Sequence, residues 1–173
     1  GVTPAQAATS SIWPGSISPN PTFPYWNDPN PVEVGLKFRA DIAGYVTGVR
    51  YFKGPGSTGT HIGRSWSMGK EKLAEVTFTN ETASGWQEAL FSPPVAIQPN
   101  TTYIISYYVA DGNRMLAISQ NYFTSSGETN GHLYAIANND LDGPNGVFSD
   151  TGGWFNQSNL SSNYWVDLIF DDT

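Results

Sequence analysis

The sequence predicts an all-β protein, a two-sheet antiparallel β-sandwich of jelly-roll type. Its composition supports this fold: aromatic residues reach 14%, charged residues only 13%, and 18 glycines are present. Short strands joined by turns need such residues, whereas helices need more Glu, Lys, Leu and Ala. Several segments alternate apolar and polar residues with a period of two, and none has a helical period over twelve residues. The sequence contains no internal repeat, which argues against a propeller or a trefoil.

The chain of 173 residues is long enough for one domain with a sizeable core. Seven of its twelve prolines lie within residues 1–31, which predicts an extended arm that packs on the domain or leads into it. The sandwich itself is predicted at 32–173. Ala5 and Ala7 form a small-residue pattern that fits either the tail of a removed signal or a linker from a preceding domain.

Two segments have the clearest strand pattern, and in both the even-numbered residues are predicted to face the core. They cover residues 32–38 and 164–170. Further strands are predicted at residues 45–52, 73–79, 86–91, 95–97, 102–109, 115–118 and 132–136.

Local residue types refine three of these elements. The Pro93-Pro94 pair predicts a break between the strands at 86–91 and 95–97. The segment 102–109 is apolar on both faces, which indicates a central strand buried between two layers. Asp111-Gly112 predicts a hairpin turn into the strand that follows.

Charge and composition exclude several classes of function. The absence of cysteine excludes disulfides, thiol chemistry and cysteine-based zinc sites. A net charge of −7 argues against a nucleic-acid partner, because phosphate binding needs a basic surface. No apolar stretch approaches the roughly 20 residues that span a membrane.

Catalysis has little support in the sequence. The two histidines, His61 and His132, have no hydrolase motif beside them, and His61 is interpreted as a structural residue that hydrogen-bonds a loop backbone. A pair of carboxylates, as in glycoside hydrolysis, is the remaining enzymatic route. Glu81 and Glu88, on either side of Trp86, are the candidates.

A calcium site is one hypothesis for residues 138–146, which alternate Asn and Asp with glycine turns. Calcium takes oxygen ligands, and Asp140, Asp142 and Asn145 supply them in this segment. The alternative is a turn cluster of Asn, Asp and Gly that holds no metal.

Aromatic residues in predicted loops suggest a sugar-binding surface. Sugar rings stack their C–H faces on aromatic rings, and their hydroxyls pair with polar side chains. Four residues in such surroundings are the predicted ligand-binding residues: Tyr25, Trp26, Trp154 and Phe155. The alternative is that they pack as lids over the edge of the sandwich. Trp86 and Trp165 lie in strand patterns and are expected in the core.

An ordered series of motifs runs through most of the chain. They are VEVGLKF at 32–38, VTGVRYFKG at 46–54, TGTH at 58–61, FTNETASGWQ at 78–87, PVAI at 94–97, TTY at 101–103, PNGV at 144–147 and NYWVD at 163–167. This series resembles the family of domains of unknown function numbered 4082. The resemblance implies a β-sandwich that accompanies secreted, multidomain bacterial proteins, and it implies no catalytic mechanism.

Together these features predict a non-catalytic carbohydrate-binding or surface-adhesion accessory module of a secreted, extracellular protein. Its expected partners are a polysaccharide or cell-surface glycan and the neighbouring domains of a larger protein. Two alternatives remain open: a structural spacer without a ligand, and a carboxylate-based enzyme that acts on polysaccharide.

Overall fold

The computed structural model of the chain describes residues 1–2, 9–20 and 24–173. These residues form twelve strands and no helix, and the strands build two antiparallel sheets that pack together. The predicted all-β two-sheet sandwich is confirmed. The signal-like pattern predicted at Ala5 and Ala7 lies outside the described residues. Because the described chain contains no helix, none is long and apolar enough to cross a membrane.

The smaller sheet has four strands. In spatial order they are β1 (Thr9–Ser10), β12 (Val166–Asp171), β3 (Gly44–Lys53) and β6 (Gly85–Ile97). The sheet therefore joins the N-terminal arm to the last strand of the chain.

The larger sheet has eight strands. Six lie in the spatial order β11 (Gln157–Ser158), β10 (Val147–Ser149), β2 (Val32–Ala40), β7 (Tyr103–Val109), β4 (His61–Ser67) and β5 (Lys72–Thr77). The other two are β9 (Leu133–Ala135), which also pairs with β2, and β8 (Glu128–Asn130), which pairs with β9.

The core lies between the sheets, and the even-numbered residues predicted to face it do so. Leu36 and Phe38 of β2 pack there with Leu168 and Phe170 of β12. Strand β7 is buried on both faces, as predicted. Its odd-numbered residues enter this core, and Ile104 enters a smaller cluster on the outer face of the larger sheet.

Two strand predictions were wrong. Residues 86–91 and 95–97 belong to one strand, β6. Leu90 pairs with Gly48 and Val95 with Val46, so the proline-containing residues between them bulge out of the ladder without ending the strand. Residues 115–118 form no strand. Buried Leu116 makes only isolated bridges, because this segment crosses the end of the sandwich.

The N-terminal arm covers the outer face of the smaller sheet. Main-chain N–H groups of Ile12 and Trp13 donate to the two carboxylate oxygens of Asp167, at 3.0 and 2.9 Å. The Trp13 ring lies 5.4 Å from the ring of Trp165, which is buried as predicted. Trp86, also expected in the core, is half-buried on this outer face, with the Arg50 guanidinium 4.0 Å from its ring centroid.

Candidate ligand-binding site

The four predicted ligand-binding aromatics lie in two separate places. Trp154 and Phe155 belong to the loop that crosses the outer face of the larger sheet, where both contact Trp66. Trp26 lines a cavity whose walls include side chains of β2 and β10. Tyr25, its neighbour, is half-buried against the main core. The structure therefore does not bring the four together into one surface.

On the outer face of the larger sheet lies a shallow groove of about 300 Å³, here called the outer groove. Its lining residues are Arg64, Trp66, Lys72, Tyr108, Thr151, Gly152 and Gly153. The Arg64 guanidinium carbon lies 5.0 Å from the Tyr108 ring centroid. Trp154 stands beside the groove, edge-on to Trp66 with ring centroids 6.4 Å apart. The groove thus offers aromatic rings and polar hydrogens side by side.

A buried carboxylate, Glu33, holds the floor of the outer groove in place. Its side chain is 0% exposed and accepts hydrogen bonds from Arg64, Trp66 and Ser106. It also accepts one from the main-chain N–H of Gly153 at 2.9 Å. Because a buried charge is costly unless it is paired and hydrogen-bonded, these four donors restrict Glu33 and each other to one arrangement.

Glycine is required where the covering loop crosses Tyr108. Gly152 has a φ of +75°, and a Cβ there would lie 2.8 Å from the Tyr108 ring. A side chain at this position would therefore be strained and would also collide with the ring. The glycine lets the main chain lie against the aromatic wall of the groove.

Phe155 is not available to a ligand in this structure. It is 7% exposed and packs edge-on to Trp66 at 5.8 Å. Space for its ring exists because β2 carries a glycine beneath it: a Cβ on Gly35 would lie 3.1 Å from the Phe155 ring and 2.9 Å from Ile104. The adjacent Trp154 is only half-buried, so of this pair Trp154 is the one that can meet a ligand.

The second concave site is a cavity of about 260 Å³, here called the Trp26 cavity. Its aromatic walls are Trp26, Phe148 and Tyr164, and Asp28 and Asn159 supply its polar side chains. Trp26 is 49% exposed, and its main chain is fixed by a pair of hydrogen bonds with Leu116.

The indole N–H groups divide the six tryptophans into two classes. Four donate to the protein itself: Trp13 to Tyr122, Trp66 to Glu33 and Ser106, Trp86 to the Ile17 carbonyl, and Trp165 to Ser119. Among the described residues, the indole N–H groups of Trp26 and Trp154 have no hydrogen-bond partner. Of these two, Trp26 lines the cavity and Trp154 stands beside the groove.

Residues 138–146 use their oxygens within the protein. Asp140 pairs with the guanidinium of Arg39, which holds the pKa of that carboxyl below its usual value. Asp142 accepts a hydrogen bond from the Thr102 hydroxyl at 2.6 Å, and its carbonyl accepts one from the Lys37 ammonium at 2.7 Å. Two protein cations therefore stand where the calcium hypothesis places a metal.

Asn145, the third predicted metal ligand, joins β2 to the segment before β10. Its amide oxygen accepts the N–H groups of Lys37 and Gly146, and its amide nitrogen donates to the carbonyls of Lys37 and Ile136. The side chain is 0% exposed. In residues 1–2, 9–20 and 24–173, no group of three or more metal-ligating side chains could hold an ion. The calcium site stays a prediction.

A buried hydrogen-bond chain links Ser57, His61 and Glu81. The Ser57 hydroxyl lies 3.0 Å from Nε2 of His61, and Nδ1 lies 3.0 Å from the Glu81 carboxylate. Tyr51 donates to the other carboxylate oxygen, and the Lys53 ammonium lies 3.6 Å from it. The partners of His61 are thus side chains, and the predicted bond to a loop backbone was wrong.

The order of these groups is that of a nucleophile, a base and a carboxylate, but their burial argues for a structural role. Ser57 and His61 are both buried, so the hydroxyl is largely shielded from solvent. Burial also lowers the pKa of His61, which keeps the ring neutral. A neutral ring that donates from Nδ1 to Glu81 and accepts at Nε2 from Ser57 satisfies every group. This hydrogen-bond chain holds the loop at Ser57 and the loop at Glu81 against the sandwich.

The candidate carboxylate pair lies on opposite faces of the smaller sheet. Glu81 bonds Tyr51 and His61, whose rings lie tilted to each other on the core side of the sheet with centroids 5.1 Å apart. Glu88 pairs across the strands with Arg50 on the outer face, and cross-strand partners share a face. Two carboxylates separated by a sheet cannot flank one glycosidic bond.

The groove residues other than Trp154 were not identified as a site from the sequence. The available signal was the polarity of the outward residues, because Glu33 on β2, Arg64 on β4 and Ser106 on β7 stand on one face. Their convergence depends on the strand order β2-β7-β4, which the sequence alone does not supply.

Comparison with curated proteins gives no match. The sequence pattern that defines the family described as "Domain of unknown function (DUF4082)" matches residues 18–166. That range includes both concave sites and the buried chain at His61. The chain therefore belongs to the DUF4082 family.

Proposed function

We propose that this protein is a non-catalytic carbohydrate-binding module that acts outside the cell, as an accessory or adhesion domain of a larger protein. The outer groove is the observation that supports this function. It combines the ring of Tyr108, the neighbouring ring of Trp154, whose N–H has no partner among the described residues, and the polar hydrogens of Arg64 and Lys72. Neutral sugars need this mixture of flat apolar surface and hydrogen-bonding groups.

The cations that line the outer groove are paired with neighbouring carboxylates, which favours a neutral sugar over an anionic one. The ammonium of Lys70 lies beside the groove, 5.9 Å from the Trp154 ring centroid. The cations Arg64 and Lys72 are both paired with Glu75, and Arg64 is also paired with Glu33. Within these four residues the positive and negative charges are equal in number. Hydrogen bonds to Glu33 and Glu75 use Nε and Nη1 of Arg64. Among the described residues, Nη2 has no partner and can donate to a ligand.

A polysaccharide pull-down followed by titration tests this function. Replacing Trp154 with alanine should weaken binding about thirtyfold, since truncating a stacking hot-spot aromatic costs about 2 kcal/mol. Leu90→Ala is the matched control, because Leu90 is an exposed apolar residue of the other sheet and should leave binding unchanged.

The structural spacer is the competing function, and the same variants distinguish it. If no glycan binds the wild-type protein, and Trp154→Ala lowers stability as a core substitution does, Trp154 is a lid. The spacer function would then replace the binding function. The carboxylate enzyme receives no support from the positions of Glu81 and Glu88.

A further inference from the structure

The Trp26 cavity differs from the outer groove in its lining. Three of its walls are aromatic, from Trp26, Phe148 and Tyr164, and the rings of Phe148 and Tyr164 are steeply inclined, at 71° with centroids 6.4 Å apart. Aliphatic side chains, among them Leu116 and Ile118, complete the apolar wall. A sugar with hydroxyls on every side would find few partners here.

One carboxylate, Asp28, stands at this cavity. Its Oδ1 accepts the main-chain N–H of Asn30 at 2.9 Å, and among the described residues Oδ2 has no hydrogen-bond partner. Burial raises the pKa of the Tyr164 phenol to about 12, and the nearby Asp28 charge adds to that rise. Asp28 and the three aromatic rings thus line the same cavity.

Arg114 bonds the main chain of Asp28 and does not neutralise its carboxylate directly. The Arg114 side chain donates to three main-chain carbonyls, those of Val109, Asp28 and Ala110. It forms no ion pair with the Asp28 carboxylate within the described residues. A ligand cation in the cavity would thus meet a carboxylate oxygen, Oδ2, to which no described residue donates.

Aromatic walls and one carboxylate are the features that recognise alkylated ammonium groups. The negative faces of the rings attract the cation, and the attraction is strongest when water is excluded. A primary ammonium needs an acceptor for each of its three N–H groups, whereas a trimethylammonium group needs none. Apolar cavities of about 150 Å³ hold benzene, so 260 Å³ has room for a trimethylammonium head.

We infer that the Trp26 cavity binds a small quaternary ammonium group, with Trp26, Phe148 and Tyr164 around the methyls and Asp28 as the counter-charge. This site is separate from the outer groove and does not depend on the proposed glycan function. Its ligand could be a free molecule or a substituent of a larger polymer, and the cavity recognises the same group in both.

Titration with choline and its neutral carbon isostere, 3,3-dimethylbutanol, tests the inference by calorimetry and tryptophan fluorescence at constant ionic strength. The two probes have the same shape and differ in charge. We expect choline to bind at least about tenfold more tightly than the isostere, and ethanolamine to bind more weakly than choline. Equal affinity for choline and the isostere would show a merely apolar cavity, and ethanolamine binding as tightly as choline would exclude recognition of the methyls.

Variants assign the binding to the cavity. Asp28→Asn should reduce choline affinity about tenfold while dimethylbutanol binding stays the same, and Trp26→Leu should reduce choline binding as well. Asp172→Asn and Trp154→Leu are the matched controls, because Asp172 is exposed elsewhere and Trp154 belongs to the groove. If the wild-type protein shows no choline binding, or if Trp26→Leu and Trp154→Leu weaken it equally, the inference is wrong.

Discussion

Each outer face of the sandwich contains a carboxylate that is 0% exposed, Asp167 on the smaller sheet and Glu33 on the larger. Both fix a covering segment through main-chain N–H groups, the arm at Ile12 and Trp13 in one case and the loop at Gly153 in the other. In both cases a buried carboxylate on a sheet therefore attaches a covering segment by accepting its main-chain N–H groups.

The difference lies in the other partners of the two carboxylates. Asp167 receives only main-chain donors at close range, and the nearest cation, Arg50, is 3.9 Å away. The arm then closes that face with Trp13, whose ring packs on Trp165. Glu33 instead orders side chains, Arg64 and Trp66, at the floor of a groove that stays open. A fixed covering segment can thus seal a face or leave a groove open on it, depending on which donors meet the carboxylate.

The largest expected difference between the two outer faces is in the free energy of unfolding. Trp165→Ala should lower the free energy of unfolding by about 3–5 kcal/mol, because it leaves a cavity under the arm. Trp154→Ala should cost about 1 kcal/mol, since its ring is only half-buried. Urea unfolding of both variants measures the difference. Equal losses would mean that the face of the larger sheet is sealed as well.

The second expected effect is the contribution of Asp167 to the pH dependence of the free energy of unfolding. Burial raises the pKa of this carboxyl from 3.8 to about 6. A carboxyl with a higher pKa in the folded than in the unfolded chain binds its proton more tightly when folded. Its contribution to stability is therefore greatest below about pH 4 and decreases as the pH rises through about 6, by at most about 3 kcal/mol.

The contribution of Asp167 is isolated by comparing two proteins. The free energy of unfolding is measured from pH 4 to 7 for the wild-type protein and for Asp167→Asn. The wild-type value minus the variant value should fall as the pH rises. His61 acts in the opposite direction, because burial lowers its pKa and its contribution grows with pH, but it is present in both proteins and cancels. Asp172→Asn, at an exposed carboxylate, is the control. A difference that rises with pH would contradict the raised pKa.

The smallest expected effect concerns residues 138–146, which meet the larger sheet through Lys37 and Arg39 of β2. Because Arg39 already pairs with Asp140, we expect calcium to raise the stability by less than about 0.5 kcal/mol, a shift in melting temperature of about 2 °C or less. Melting curves with calcium and with chelator measure it. A larger rise that is lost in Asp142→Asn would support the calcium site.

The alternation of apolar and polar residues predicted most of the strands. A strand with one buried face has an apolar residue at every second position, and this pattern is visible in the sequence. The strand ending at Phe38 and the strand ending near Phe170 follow from this pattern alone. Leu116 shows its limit. Its segment has the composition of a strand, but a strand needs a partner over several residues, and this segment finds one only at single positions.

Only part of the candidate ligand-binding site could be predicted, because the sequence shows local surroundings but not contacts between distant residues. Trp26 and Trp154 were identified by their loop surroundings, and they are the tryptophans whose N–H groups lack partners among the described residues. Phe155 has the same surroundings, yet it is buried because Gly35, 120 positions earlier, leaves room for it. The sequence also does not show that Arg39 reaches Asp140 and Asp142, the two predicted metal ligands, so this competing cation is visible only in the fold.

The clamp at Asp167 also determines when this protein can finish folding. Its hydrogen bonds join residues 154 and 155 positions apart, so the docking of the arm closes loops that span most of the chain and carries a correspondingly large entropic cost. During synthesis, β3 can pair with β6 well before β12 leaves the ribosome. Until then the arm has no carboxylate to hold it, and the aromatic rings of that face stay exposed to water and to other chains.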